Sequence, residues 1–270
     1  MDFTLKTYKT LLNTQIEQGF SFQTFQDFLE KPKEKVIVLR HDVDKLPKNS
    51  LLFAQIQHEL DIKGTYFFRI VPESFDPEII EEIAKLGHEI GYHYEDVDLV
   101  QSSKFKVQSS ESEIEKRIAN KAIKLFEKHL AEIRKICPVK TICMHGSPLS
   151  KYDNKMLWKY NNYRDFGIIG EPYFDVDFTK VLYLTDTGRR WDGDTVSIRD
   201  KVQSSKFKVQ SFKRTHEIIS AANKEELPNQ IMLTFHPQRW TDDPFLWTKE
   251  LVRQNVKNVG KYFLNRVRRK

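Results

Sequence analysis

Five carboxylate or imidazole side chains stand where hydrophobic runs of the sequence end. The run VIVLR leads into Asp42 and Asp44, and the runs EIGY, TICM and LTF lead into His93, His145 and His236. Carboxylates and imidazoles bind divalent metals and transfer protons. Because the carboxyl ends of the strands in a β/α barrel meet at one catalytic face, we expect these five side chains to converge.

The HDVD segment offers two carboxylates with separable roles. Side chains alternate along a strand, so Asp42 and Asp44 share a face while His41 and Val43 point away. One carboxylate can bind a metal ion while the other serves as base on a water molecule. A charged surface loop is the alternative, but a hydrophobic strand immediately before the pair argues against it.

Two further segments supply candidate ligands. His93 ends the predicted strand EIGYHY and is predicted to bind the metal, whereas His88, at the junction of helix and strand, is predicted to be structural. Glu95 shares the face of His93. His145 opens the turn HGSP and is either a third ligand or a residue that orients Asp42.

The segment LTFHPQRW ends the last predicted strand at His236. An imidazole with a pKa of about 6.5 suits protonation of an amine leaving group. In the segment GRRWDGD, Asp192 is predicted to hold His236 in one tautomer, as a carboxylate does for a catalytic imidazole. Trp191, Arg239 and Trp240 are the predicted substrate contacts, with simple packing as the alternative.

Strands and helices alternate along the chain, which favours a mostly parallel sheet. We predict a single α/β domain over residues 1–270, a distorted (β/α)7-type barrel. A doubly wound open sheet is the alternative, but no GxGxxG segment is present. Helices are predicted at 50–64, 76–87 with Asp76 as N-cap, 111–135, 216–227 and the C-terminus. Strands are predicted at 36–44, 65–70, 89–94, 141–146, 166–171, 181–188 and 230–236.

The sequence VQSSKFKVQS occurs twice, at 100–109 and 202–211. Such Ser, Gln and Lys-rich segments bury too little apolar surface to order themselves. We therefore predict low-complexity loop insertions at 100–110 and 201–213. These segments hold six lysines and no acids, which equals the formal charge of +6, so we expect no nucleic-acid partner.

The remaining sequence features are those of an ordinary globular protein. The N-terminus lacks the basic start and apolar run of a secretory signal, and no apolar stretch is long enough for a membrane span. We therefore expect a cytoplasmic protein without a membrane span. Cys137 and Cys143 are predicted to be ordinary buried thiols.

Over residues 33 to 245, these motifs resemble the NodB-homology polysaccharide deacetylases of carbohydrate esterase family 4. HDVD, GHEIGYH and LTFH are similar to the first, second and fifth motifs, HGSP stands in place of the third, and Trp191-Asp192 loosely matches the fourth. The resemblance is closest to a branch with RHDVD, GHEIGYHYE and HGSP, associated with bacterial surface-polysaccharide and O-antigen loci. It implies that Asp42 is the base, Asp44 and His93 bind a divalent metal, first of all zinc, and His236 is the acid.

One departure from the family pattern concerns the metal. The family's next histidine would fall at Val97 and is absent, so the third ligand must be His145, Glu95, Asp96 or solvent. The predicted function is N-deacetylation of an acetylated amino sugar in bacterial surface-polysaccharide biosynthesis, on a carbohydrate or sugar-conjugate substrate. The alternatives are hydrolysis of a non-sugar amide or ester, and a non-catalytic carbohydrate-binding relative.

Overall fold

Strand β2 (Val36–Val43) carries the HDVD segment through the middle of the sheet. All eight of its residues are buried, as expected for a hydrophobic strand of a parallel sheet covered on both faces. On one side β2 pairs with β7 (Gln230–Phe235). On the other it pairs first with β1 (Ser21–Gln23) and then with β3 (Thr65–Phe68).

The whole sheet is parallel and has seven strands, ordered β5-β4-β3-β2-β7-β6, with β1 beside β2. The outer strands are β4 (Glu89–Tyr94), β5 (Ile142–Met144) and β6 (Leu182–Thr185). Within residues 1–101, 110–146, 150–191 and 212–268, which are the residues that this computed structural model describes, no pairing joins β5 to β6. The sheet is a curled half-barrel within one α/β domain, which confirms the predicted fold class.

Helices connect the strands and cover the sheet. Helix α4 begins as predicted, with the Asp76 side chain accepting a hydrogen bond from the Ile79 backbone and Pro77 in the first turn. It ends before Gly87, whose φ of +89° favours glycine.

No helix among the described residues is long and apolar enough to cross a membrane. The helices are α1 (Leu5–Glu17), α2 (Phe25–Glu30), α3 (Pro47–Glu59), α4 (Pro77–Lys85), α5 (Asp96–Gln101), α6 (Glu111–Arg134), α7 (Pro172–Asp175), α8 (Thr215–Asn223) and α9 (Pro244–Arg268).

Two predictions about elements are wrong. The segment 166–171 is not a strand, because a 3-10 helix (Tyr163–Phe166) ends at Gly167 with φ +71° and only Gly170 forms an isolated bridge, to Thr141. The helix predicted to start at residue 50 starts three residues earlier, because Pro47 fixes the first turn. The predicted insertions at 100–110 and 201–213 lie almost entirely outside the described residues.

Candidate active site

Three parallel strands bring three predicted ligands to one point. Asp44 follows β2, His93 lies in β4 and His145 follows β5. Asp44 Oδ1 lies 3.7 Å from His93 Nε2 and 3.6 Å from His145 Nε2, and the three atoms all lie within 4.8 Å of one another. The side chains of Asp44 and His145 keep 23% and 19% of their surface exposed, so the cluster opens to solvent.

The partners of these side chains direct their free atoms toward the same point. His93 Nδ1 lies 2.9 Å from the Cys143 carbonyl, which leaves Nε2 facing Asp44. His145 Nδ1 lies 3.1 Å from Glu95 Oε2. Asp44 Oδ2 accepts a hydrogen bond of 2.9 Å from Gln238, while its buried Oδ1 has no hydrogen-bond partner among the described residues.

This arrangement fits a divalent metal ion. In a tetrahedral zinc site with bonds of about 2.0–2.1 Å, neighbouring ligand atoms lie about 3.4 Å apart, close to the separations from Asp44 to the two imidazoles. A carboxylate oxygen buried without a partner costs free energy unless a cation or a donor meets it. Two imidazoles and one carboxylate suit zinc and other first-row divalent ions.

A second possible ligand group combines Asp42, His93 and Cys143. Arg40 argues against it, because its Nε and Nη2 donate hydrogen bonds of 2.8 and 2.7 Å to the two carboxylate oxygens of Asp42. The buried guanidinium therefore already neutralises Asp42. Sequence reasoning missed Arg40, although its position two residues before Asp42 places both side chains on one face of β2.

The charges of the cluster agree with these assignments. Burial alone would raise the pKa of Asp42, but Arg40 and His93 outweigh it and hold that pKa below its ordinary value. Burial also favours neutral His93, whose pKa is lowered to about 4. Asp42 is therefore ionised at neutral pH, and the His93 imidazole is neutral, as a metal ligand must be.

His236 lies just beyond β7 and is held by a carboxylate. Its Nδ1 lies 2.5 Å from Asp186 Oδ1, and its backbone N–H donates to Asp186 Oδ2 over 3.0 Å. Asp192, the predicted partner, lies outside the described residues. Asp186 directly follows β6, so the rule that site residues follow strand ends points to it as well.

The three predicted substrate contacts occupy packed positions. Trp191 and Trp240 are 2% and 1% exposed, and their rings pack on Phe235. The Trp240 indole donates to Asp186 over 2.7 Å, and Arg239 donates to the same carboxylate over 3.0 Å. Arg239 and Trp240 therefore fix Asp186, and the rings of both tryptophans are covered by protein.

The remaining candidates for the third ligand lie elsewhere. Asp96 is fully buried and accepts hydrogen bonds from Tyr92. Val97 is buried in the core. Glu95 accepts two hydrogen bonds from Arg69, with distances of 2.9 and 2.7 Å. Glu95 therefore contacts His145 from the side away from Asp44 and is a positioning residue, not a candidate ligand.

Two histidines predicted to lie outside the site do so. His41 stacks on Tyr66 at a centroid distance of 4.1 Å, on the side of β2 away from Asp42. His88 accepts a hydrogen bond from the Gly64 backbone and contacts the Ala54 carbonyl, so both its nitrogens are used. Both rings have structural positions.

Comparison with known proteins finds similarity among solved structures only: no protein-family model and no curated protein matches the chain.

A CE4 family pseudoenzyme from Bacillus anthracis is 15% identical with a TM-score of 0.41, over 86% of this chain and 63% of its own. The chain thus spans less than two thirds of that protein. A family 4 carbohydrate esterase from Streptomyces lividans is 15% identical with a TM-score of 0.36, over 85% of this chain and 90% of its own. A polysaccharide deacetylase from Bacillus cereus is 13% identical with a TM-score of 0.39, over 83% of this chain and 88% of its own. Two of these three solved structures belong to carbohydrate esterase family 4, and the third is a polysaccharide deacetylase.

Proposed function

We propose that this protein is a metal-dependent hydrolase that removes the acetyl group from an N-acetylated amino sugar. The convergence of Asp44, His93 and His145, with their free atoms within 4.8 Å of one another, is the observation that carries the proposal. The proposed substrate is a carbohydrate or sugar conjugate of bacterial surface-polysaccharide biosynthesis.

Asp44, His93 and His145 would hold the metal ion, with zinc as the first candidate. When bound, a divalent ion supplies Lewis-acid polarisation of the acetyl carbonyl and increases the acidity of water. The chain's own contribution is to orient both imidazoles, through the Cys143 carbonyl and the Glu95 carboxylate, and to keep His93 neutral through its burial.

Asp42 is the proposed base. Its Oδ2 lies 3.9 Å from His93 Nε2, so the carboxylate borders the cluster without belonging to it. Arg40 keeps it ionised and fixes its orientation through two hydrogen bonds. A water molecule beside the cluster could give its proton to Asp42 and attack the acetyl carbon.

His236 is the proposed acid. Because Asp186 occupies Nδ1, the free nitrogen of the ring is Nε2. Asp186 holds the ring in one orientation, as a carboxylate does for other catalytic histidines. His236 would then donate its proton to the departing amine nitrogen as the C–N bond breaks.

The test is acetate release from a panel of N-acetylated sugars and sugar conjugates, with zinc and with a chelator. We expect release by the zinc-loaded protein and a loss of about 10²- to 10⁴-fold in kcat for Asp42→Asn and for His236→Gln. Asp242→Asn and His216→Gln, which change exposed residues of the same types, are the matched controls.

Three outcomes would contradict the proposal in different ways. Activity of Asp42→Asn equal to that of the unmodified protein would remove Asp42 from the mechanism. Release from acetyl esters or non-sugar amides alone would keep the hydrolase and replace the substrate. No release from any substrate, together with no zinc bound at equilibrium, would leave a non-catalytic carbohydrate-binding protein.

A further inference from the structure

Helix α9 presents an apolar stripe to solvent. The stripe consists of Phe245, Val252, Val256 and Val259, which are 75%, 58%, 69% and 57% exposed. Their spacing of seven, four and three residues places them on one side of the helix. Scattered apolar residues on a surface are ordinary, but four aligned on one helix face form a continuous patch of the kind that marks an interaction site.

The opposite side of α9 faces the protein and is mostly polar, apart from Trp247 and Leu251. Gln254 is only 4% exposed, and Asn258 donates a hydrogen bond of 3.0 Å to the Gly188 carbonyl. The Trp247 indole donates to the Asp2 carbonyl over 2.7 Å. A surface helix normally turns its apolar side to the core, so the fold itself does not use the apolar stripe.

Positive charge accompanies the apolar stripe. Lys249, Arg253 and Lys257 are exposed on α9, and Lys249 and Arg253 lie three or four residues from members of the stripe, along one of its borders. The sequence from 244 to 270 contains eight basic residues and one acidic residue, Glu250. Apolar residues bordered by lysine and arginine are typical of helices that lie in the interface of a membrane with anionic lipids.

The same charges argue against a second copy of this chain as the partner. Two α9 helices packed through their apolar stripes would bring their lysine and arginine borders together, and like charges across an interface are unfavourable. An anionic bilayer complements both the apolar stripe and its basic border. We therefore propose that α9 docks this protein on the surface of an anionic lipid bilayer.

Helix α9 also lies next to the candidate metal centre. Glu250 lies 3.9 Å from Lys45, the residue that follows Asp44. The docking itself does not depend on the proposed function.

The experiment is co-sedimentation of the full-length protein with vesicles of phosphatidylcholine, with and without phosphatidylglycerol. We expect binding to the anionic vesicles only, and release by high salt because the basic residues act through screened charges. The triple variant Val252→Gln, Val256→Gln and Val259→Gln should bind at least about tenfold more weakly, since each lost valine removes apolar burial in the bilayer.

Leu52→Gln is the matched control, because Leu52 is 44% exposed on α3 rather than α9. Circular dichroism verifies that each variant is folded. No binding to anionic vesicles, or equal binding by the triple variant, would overturn the proposal. A stable dimer of the unmodified protein that the triple variant abolishes, without any vesicle binding, would also overturn it and identify the apolar stripe as an interface between copies.

Discussion

At the scale of single residues, the proposed role of His145 as third metal ligand depends on the side chains that hold its ring. Where the family pattern has its second histidine, this chain has Val97, buried in the core. His145 is the proposed third ligand, with Glu95 3.1 Å from its Nδ1 and Arg69 paired with Glu95. Arg69 also donates to the Asp44 carbonyl over 2.9 Å, so one guanidinium links the supports of two proposed ligands.

Glu95→Gln tests this support directly. We expect zinc affinity to fall by about 10- to 100-fold, because carboxylates that orient a ligand histidine have effects of that size. Competition with a chelating dye measures the affinity. Glu127→Gln, on the exposed side of α6, is the matched control. An unchanged affinity in a folded Glu95→Gln protein would show that Glu95 does not position His145.

The sequence predicted the principal residues of the site but not their partners. Asp44, His93 and His145 could be predicted because each ends a hydrophobic run, and parallel strands end at one face. Arg40 was missed because the sequence alone gives no reason for a charged residue inside a hydrophobic strand. The structure supplies the reason, since Arg40 donates a hydrogen bond to each carboxylate oxygen of Asp42. The contact of Asp186 with His236 depends on β6 lying beside β7, which a sequence does not state.

At the scale of elements, Gly91 determines how closely β4 approaches its neighbours. A Cβ at this position would lie 2.3 Å from the Phe67 ring and 3.1 Å from the Thr141 carbonyl. His93 is two residues further along the same strand, so a shift of β4 would also move a proposed ligand.

We expect Gly91→Ala to lower the free energy of unfolding by about 1–3 kcal/mol, as overpacked core positions do. Urea denaturation measures the loss. Gly260→Ala provides the contrast, because nothing lies within 4 Å of a Cβ there. In a helix, that change should be neutral or stabilise by up to about 1 kcal/mol. Equal stability of Gly91→Ala and the unmodified protein would disprove the close approach.

Glu171 connects the start of α7 to β5. It is fully buried, and it accepts hydrogen bonds from the backbone of Met144 over 3.1 Å and of Tyr173 over 2.6 Å. Burial raises its pKa to about 7. The segment 166–171, which contains Glu171, was predicted to be a strand because it is hydrophobic. The sequence does not show that a 3-10 helix ends at Gly167.

This carboxyl should make stability depend on pH. With a pKa of about 7 when folded and about 4.3 when unfolded, the folded state binds the proton more tightly, so its stability falls as pH rises between these values. The total loss is about 4 kcal/mol. Glu171→Gln should remove this part of the pH dependence, as measured by urea denaturation from about pH 4 to 7. Parallel pH profiles for both proteins would contradict the assignment.

At the scale of the whole molecule, the proposed metal site connects one edge of the sheet to its centre. Its ligands come from β2, β4 and β5, and the order β5-β4-β3-β2 means that the cluster spans four neighbouring strands. The parallel α/β architecture was predictable from the alternation of elements. The absence of pairing between β5 and β6 in the described part of the chain was not, because β5 has only three residues and no sequence pattern specifies its partner.

Zinc should therefore stabilise the fold as a whole. A ligand at a hundredfold excess over its Kd that binds only the folded state adds about 2.7 kcal/mol to the free energy of unfolding. We expect the midpoint of thermal unfolding to be several degrees higher in zinc than in chelator, with most of that difference lost in His145→Ala and kept in His216→Gln. The same midpoint in zinc and in chelator would mean that Asp44, His93 and His145, although they lie within 4.8 Å of one another, do not hold a metal ion. The hydrolase proposal would then lose its basis, while the docking of α9 on anionic lipid would be unaffected.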